Sequence, residues 1–549
     1  MKRRKFLVDS VGLAAGSLVA NEAVSALARL DPNSSIKVDS PASSEVLSDG
    51  QQSKYSHRLP KTDQNYLRST SYVEDDPLPE YRWAPDEAYE AFQDMKYGIR
   101  VHWGLYSIWN IDDTSWPFLG NRIPAFDFAR RQEYQQLYKT WNPAGFDAEE
   151  WMKAFKEFGA KMFAFTTKHH EGFSMYDTKT KVKQRPNWTA PGGPCIEACD
   201  TSYSIMDTPF ERDVTKELCD AAHRHGIKID LYFSHSDWYD ADFRPYGYHP
   251  LQVPSSPVYC QAKSPLENET EFERAKQRQK DFLTIVPDPT PEEEQRMIQR
   301  HRAQLKELLT NYGTIDMMCL DIWLGPRVWP QLRQTIMELR KIQPNVMFRA
   351  RGIGNYGDYY TPERFVPEGK ENTDAPWFVI YPLGTAWAYD ENPENYKGAK
   401  WVVSNLVDAV SKGGNFMVGI GPDVDGRFSP AAVKQLQEVG AWLKINGEGI
   451  YATRARAGEL WKEGGNIRFA RTKDNATVYA HCLEWPGDML TLKSVRPKDG
   501  TKIHLLGHAE ALPWKVNAEG ELVIVTQRKI LDALSEAAKL AFTFRIEVA

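Results

Sequence analysis

From about residue 90 the chain alternates between short apolar runs and longer stretches in which apolar positions recur every three to four residues. The runs at 97–102, 162–167, 228–234, 315–320, 346–350, 378–381 and 416–420 have the length and bulk of buried parallel strands. Between several of them, 147–158, 209–225, 292–311, 328–342, 397–412 and 429–445 read as amphipathic helices. Strand and helix in repeated alternation predict a parallel sheet with helices outside it. Seven such strands over roughly 350 residues favour a (β/α)8-like barrel over an open sheet.

After Gly447 the texture changes. Segments 466–470, 476–481, 502–506 and 522–525 are short and β-like, with turn signals at Pro486-Gly487 and Asp499-Gly500 between them. The expected architecture is therefore α/β: a barrel over 86–450, then a C-terminal β-sandwich over 451–549. Residues 29–85 are rich in Ser, Asp and Pro with little periodicity, and read as a loosely ordered arm. The stretches 178–206 and 237–296 read as long loops on the barrel rim, where they would shape the leaving-group side of a site.

The first 28 residues carry Arg3-Arg4, an apolar stretch at 11–20 and a small-residue site at Ala26-Leu27-Ala28. This looks like a twin-arginine export signal, and the apolar stretch is too short to span a bilayer as a mature helix. The expected location is periplasmic. A net charge of −6 gives no electrostatic reason to bind nucleic acid. Export permits disulfides, and among Cys195, Cys199, Cys219, Cys260, Cys319 and Cys482 the first two are close enough in sequence to be candidates for a pair. No CxxC, HExxH, GxGxxG after a strand or Walker loop is present, so neither a zinc site nor any cofactor is expected.

The strongly polar clusters each follow a predicted strand. They are Val101-His102-Trp103-Gly104, Thr167-Lys168-His169-His170-Glu171, Tyr232 through Asp237-Trp238, Asp321 after the fourth run, and Arg349 and Arg351 leading to Thr361-Pro362-Glu363. Active sites of barrels lie at the C-terminal ends of their strands, so five clusters on one edge predict the rim of a single pocket. His102, His169 and His170 could hold a metal, but neighbouring histidines on a strand point apart, which favours hydrogen bonding to a sugar. Two carboxylates on different loops of an aromatic-rich pocket suit glycoside hydrolysis, with a separation of about 5–5.5 Å in retaining enzymes.

At this point the residues resemble the α-L-fucosidases, family 29 of the glycoside hydrolases. The blocks that carry the resemblance are Lys96 to Gly104, Phe146-Asp-Ala-Glu-Glu-Trp151, Lys168-His-His-Glu-Gly-Phe173, Asp207-Thr-Pro-Phe210, Asp230 to Trp238, Gly357 to Glu363, Val407 to Asn415, Ile420 to Gly426 and Gly440 to Glu448. The resemblance implies a retaining mechanism with Asp321 as nucleophile and Glu363 as acid/base. It implies a sugar site lined by His102, His169, His170, Tyr232, Arg351 and Trp387. The acid would need a raised pKa, which burial and the Asp321 charge would supply. Asp358 and Glu368 are the rivals of Glu363.

The departures concern the sugar. Where the family often has Glu-Trp-Tyr before an Arg pair, this chain has Ala125-Phe126-Asp127-Phe128-Ala129-Arg130-Arg131, leaving Asp127 or Trp116 as substitutes. Cys319 stands where a Trp usually precedes the nucleophile by two residues, and Trp377-Phe378 stands where some members read Trp-Glu. The expected substrate is a terminal α-L-fucoside, on an oligosaccharide or glycoconjugate. An α-L-galactoside or another sugar is the neighbouring alternative, and a catalytically inactive carbohydrate-binding barrel is the alternative of another class.

Overall fold

The computed structural model describes residues 76–119, 126–244, 246–251, 286–322, 324–367 and 375–548. The expected export signal, most of the N-terminal arm, Cys260 and Glu368 lie outside the described residues.

The chain folds into β1 (Tyr97–Val101), β2 (Met162–Lys168), β3 (Val182–Asn187), β4 (Cys195–Thr201), β5 (Lys228–Ser234), β6 (Met317–Asp321), β7 (Met347–Phe348), β8 (Phe378–Pro382) and β9 (Asn415–Ile420). Its principal helices here are α1 (Asp86–Met95), α2 (Phe128–Tyr134), α3 (Ala148–Glu157), α4 (Val214–His225), α5 (Pro291–Thr310), α6 (Trp329–Ile342), α7 (Ala399–Ser411) and α8 (Pro430–Asn446). Local chemistry fixes several ends. Asp147 and Asp213 cap α3 and α4 by accepting from the N–H groups of Glu150 and Lys216. Thr290 and Glu293 form a capping box at α5, with Pro291 in the first turn.

Seven strands make one parallel sheet in the order β7-β6-β5-β2-β1-β9-β8. Residues 358–364 span the remaining gap. Phe348 O accepts from the amides of Asp358 and Tyr359 at 2.7 and 3.3 Å on one side. On the other, Phe378 N donates to Tyr360 O at 2.9 Å and Ile380 N to Pro362 O at 3.0 Å. This segment is an irregular eighth stave that closes the ring. Pro362 has no N–H to give a ladder, which explains why no strand pattern marks it. The (β/α)8-like expectation therefore holds, with a regular β7 shorter than the run 346–350 suggests.

Alternation along the strands layers the interior. Met162, Met317, Met347, Phe378 and Met417 fill the lower layer, which Tyr89, Phe92 and Met95 of α1 plug from below. Above them Cys319 accepts from Arg100 Nη1 at 3.3 Å and Arg349 Nη1 at 3.0 Å. Asp230 lies buried beside the same two guanidiniums. The top layer, two residues further along each strand, carries His102, Tyr232, Asp321 and Arg351.

The stretch 178–206 is more ordered than a loop. It contains the antiparallel hairpin β3–β4, with Asn187 opposite Cys195. Cys195 and Cys199 are both free thiols on β4. Four residues of strand separate them by about 13 Å, beyond the reach of a disulfide, so the pair considered above does not form.

Beyond the barrel come β10 (Arg454–Ala455), β11 (Lys462–Glu463), β12 (Ile467–Arg471), β13 (Thr477–Cys482), β14 (Met489–Leu492), β15 (Ile503–Leu505), β16 (Ala511–Leu512), β17 (Trp514–Val516), β18 (Leu522–Val525) and β19 (Phe542–Glu547). They form one sheet in the order β10-β12-β13-β19-β15-β16, with β11 on β12, and a second in the order β14-β18-β17. Phe469, Leu492, Leu522 and Phe544 belong to the core between them. This domain is pinned to the barrel by Trp442 of α8, whose Nε1 donates to Ala541 O at 2.8 Å. No helix of the described residues is long and apolar enough to cross a membrane.

Candidate active site

Asp321 ends β6 on the inward face and is 8% exposed. Tyr232 Oη donates to its Oδ2 at 2.8 Å, and Arg351 Nη1 donates to its Oδ1 at 3.2 Å. Burial works against its charge, but the guanidiniums of Arg351 and Arg349, His170 and the Tyr232 hydroxyl outweigh it and hold the carboxyl well below the ordinary range. Asp321 is an anion throughout the neutral range. The next residue, Ile322, has φ +68°, and its amide donates to Asp321 Oδ1 at 3.0 Å. A β-branched residue rarely adopts this left-handed conformation. Thr114, also β-branched, has φ +60° and lies 3.4 Å from His169 Nε2. Strain of this kind collects where a site over-determines its backbone.

Glu363 lies on the irregular stave. Arg351 Nη2 donates to its Oε2 at 2.8 Å, so one guanidinium holds both carboxylates. The Glu363 side chain is 27% exposed against 12% for the Asp321 side chain. The expected raised pKa is not found. Burial and the Asp321 charge push it up, but Arg351 and Arg349 overcome them and hold it below the ordinary glutamate value. The expectation counted the second carboxylate and left out the cation between the two.

Three imidazoles stand over Asp321. His170 Nε2 is 3.8 Å from Asp321 Oδ2, and its Nδ1 is 2.9 Å from Ser236 Oγ. His169 is held from behind, its Nδ1 2.5 Å from Ser115 Oγ and 3.3 Å from Glu171 Oε2. β2 ends at Lys168, so the two histidines sit in the turn beyond it, with ring centroids 4.3 Å apart. The expectation that they point apart fails, because it assumed that the strand continues. His102 packs on Trp387, at 5.5 Å between centroids, and its buried Nδ1 has no hydrogen-bond partner among the described residues. Burial first, then nearby positive charge, keeps His102 and His170 well below the ordinary histidine pKa, hence neutral. Among the described residues no group of three His, Cys, Asp or Glu side chains is arranged to hold a metal.

The other residues singled out sort by position. Trp116 packs edge-on against His170, centroids 4.8 Å apart, and reaches Trp238 at 5.8 Å. Asp127 caps α2 by accepting from Arg130 N at 2.8 Å, a structural task. Asp358 is buried among Ala84 N, Tyr89 Oη, Phe348 N and Arg340 Nη2, all within 3.0 Å. That removes it as a rival to Glu363. The supports Ser115, Ser236 and Glu171 escape a reading of the sequence, which offers only the closeness of Ser236 and Glu171 to strand ends and nothing for Ser115.

A buried carboxylate and a second carboxyl joined through one guanidinium, under imidazoles and indoles on a barrel's C-terminal rim, are the equipment of a glycoside hydrolase. Comparison with known proteins is specific about which. The family model for alpha-L-fucosidase matches residues 76–448, and that for the alpha-L-fucosidase C-terminal domain matches 463–547. Tissue alpha-L-fucosidase of Mus musculus is 28% identical over 458 residues, covering 79% of this chain and 87% of its own. That of Rattus norvegicus is 28% identical over 476 residues, covering 82% and 86%. The solved structure of alpha-L-fucosidase isoenzyme 1 from Paenibacillus thiaminolyticus superposes with a TM-score of 0.65 at 25% identity, covering 84% of this chain and 99% of its own. The chain belongs to the α-L-fucosidase family.

Proposed function

We propose that this protein is a retaining exo-glycosidase that removes terminal α-L-fucosyl residues from oligosaccharides or glycoconjugates. The observation that carries the reading is the Arg351 fork, which sets Asp321 and Glu363 side by side. In the first step Asp321 attacks C1, the C1–oxygen bond to the leaving group breaks, and Glu363 gives that oxygen a proton. In the second, Glu363 takes a proton from water, the water oxygen attacks C1, and the bond from C1 to Asp321 breaks. Arg351 favours the ionised Glu363 that the second step needs. For the first step the Arg351–Glu363 pair has to open so that the carboxyl can hold a proton. His102, with its unmatched Nδ1, and His170 are neutral and able to orient sugar hydroxyls in fixed directions. His169 acts through its packing on His170, and Trp387 offers a flat apolar wall.

Fucose is the preferred sugar because Trp116 closes the pocket beside His170 with an apolar edge, which suits a methyl group at C5. On the arginine pair and apolar stretch of its first 28 residues, the protein is exported to the periplasm. Turnover of aryl α-L-fucoside and aryl α-L-galactoside tests the substrate. The reading expects kcat/KM for the fucoside to be at least about tenfold higher, the scale that one poorly accommodated hydroxyl carries. A preference for the galactoside, or no turnover of either, would overturn it.

A further inference from the structure

A second cleft lies on the outer wall of the barrel. Among the described residues no α-helix lies between β7 and β8 on this part of the wall. The C-terminal domain partly covers it and leaves a cleft of about 690 Å³. That volume is in the range of small-molecule sites. Tyr381 and Asn405 line it from the barrel, and Glu459, Trp461, Lys462 and Arg468 from the other domain. Tyr381 packs on Trp401 of α7, centroids 5.2 Å apart, and so faces outward. Its neighbour Ile380 belongs to the interior cluster. The strand therefore separates this cleft from the Asp321 pocket.

The lining has a definite chemistry. Asp408 on α7 accepts from Lys412 Nζ at 2.8 Å and from Arg468 Nε at 2.6 Å, which fixes acceptors and donors side by side across the domain junction. Lys412 and Lys462 lie over the Trp461 ring at 4.8 and 4.6 Å. Trp461 is 6% exposed, and its indole N–H has no partner among the described residues. Cations and carboxylates are nearly balanced, so neither a strongly anionic nor a strongly cationic ligand is favoured. A lipid would meet charged groups. A neutral polyhydroxylated ligand uses paired donors and acceptors for its diols, and the rings of Tyr381 and the half-exposed Phe365 for its C–H faces.

We propose that this cleft is a second saccharide-binding site, which takes a neutral oligosaccharide of two or three units outside the catalytic pocket. The choice of saccharide rests on the glycan substrate proposed above. The test titrates the full chain with lacto-N-tetraose, a fucose-free tetrasaccharide, by calorimetry or ligand-observed NMR, with and without saturating L-fucose. It is repeated on a variant combining Glu459→Ala, Lys462→Ala and Asn405→Leu, checked for an unchanged melting temperature. The expected result is binding that L-fucose does not displace and that the variant weakens at least tenfold, while turnover of aryl α-L-fucoside stays the same. Absence of binding, displacement by L-fucose, or equal binding by the variant would overturn the proposal. Failure of the wild type to cleave any fucoside, with cleft binding intact, would instead remove the functional reading alone.

Discussion

Arg351 decides what each carboxylate can do. It donates to Asp321 and Glu363 at once, and with Arg349 it lowers the pKa of both. An ionised Asp321 is what a nucleophile needs, but an ionised Glu363 cannot act as an acid. Replacing the cation by a neutral side chain lets the Glu363 pKa rise, so the carboxyl stays protonated to higher pH. In Arg351→Gln the basic limb of kcat/KM against pH should therefore move to higher pH, while the maximum falls because the fork that sets the two carboxylates side by side is lost. A basic limb at the same pH in both proteins would show that Arg351 does not set the proton on Glu363. The sequence makes Asp321 and Arg351 legible, since each follows an apolar run, while Glu363 is marked only by the Thr361-Pro362-Glu363 block that carries the family resemblance. That Arg351 reaches both of them depends on how the irregular stave approaches β7, and no residue pattern states that. The same limit explains the misjudged pKa of Glu363. Ser115 and Ser236 likewise became visible as supports of His169 and His170 only through distance.

At the scale of elements, the apolar periods located seven strands and the helices α3 to α8 within a few residues, because buried parallel strands and amphipathic helices leave strong patterns; the short α1 and α2 were not marked. The eighth stave escaped because Pro362 and its short irregular pairing leave none. The β3–β4 hairpin escaped because Pro186 and a mostly polar face read as loop. Helix packing supplies a sharper test. A Cβ on Gly440 of α8 would lie 2.0 Å from Glu157 O and 2.9 Å from Phe158 Cα, where α3 ends. The obstacle is backbone, so α8 would have to move. Gly440→Ala should destabilise by about 1–3 kcal/mol, the usual cost of overpacking, and lower the urea midpoint with little change in slope. An unchanged midpoint would mean that α8 has freedom the packing does not suggest.

Over the whole molecule, histidine burial sets the response to acid. His102, His170 and His301 are held well below the ordinary value, His235 and His249 at about 3 and His481 at about 4, in each case mainly by burial. Below about pH 6.5 the unfolded chain binds protons that the folded chain refuses, so stability present at neutral pH is lost as pH falls. Each such group contributes up to about 1.4 kcal/mol per pH unit until its folded pKa is reached. The melting temperature should fall steadily from pH 6.5 to pH 4, and a flat profile would contradict the burial of these rings. The proposed function turns on one covalent event at Asp321. That event is tested most directly by incubating the protein with 2-deoxy-2-fluoro-α-L-fucosyl fluoride, whose C2 fluorine slows both steps while its good leaving group, the anomeric fluoride, keeps the first fast enough for the glycosyl-enzyme to accumulate. The account predicts one deoxyfluorofucosyl unit per chain by intact mass, on the peptide that contains Asp321, and none on Asp321→Ala. Normal turnover of an aryl α-L-fucoside with no such adduct, or an adduct on Glu363, would contradict it.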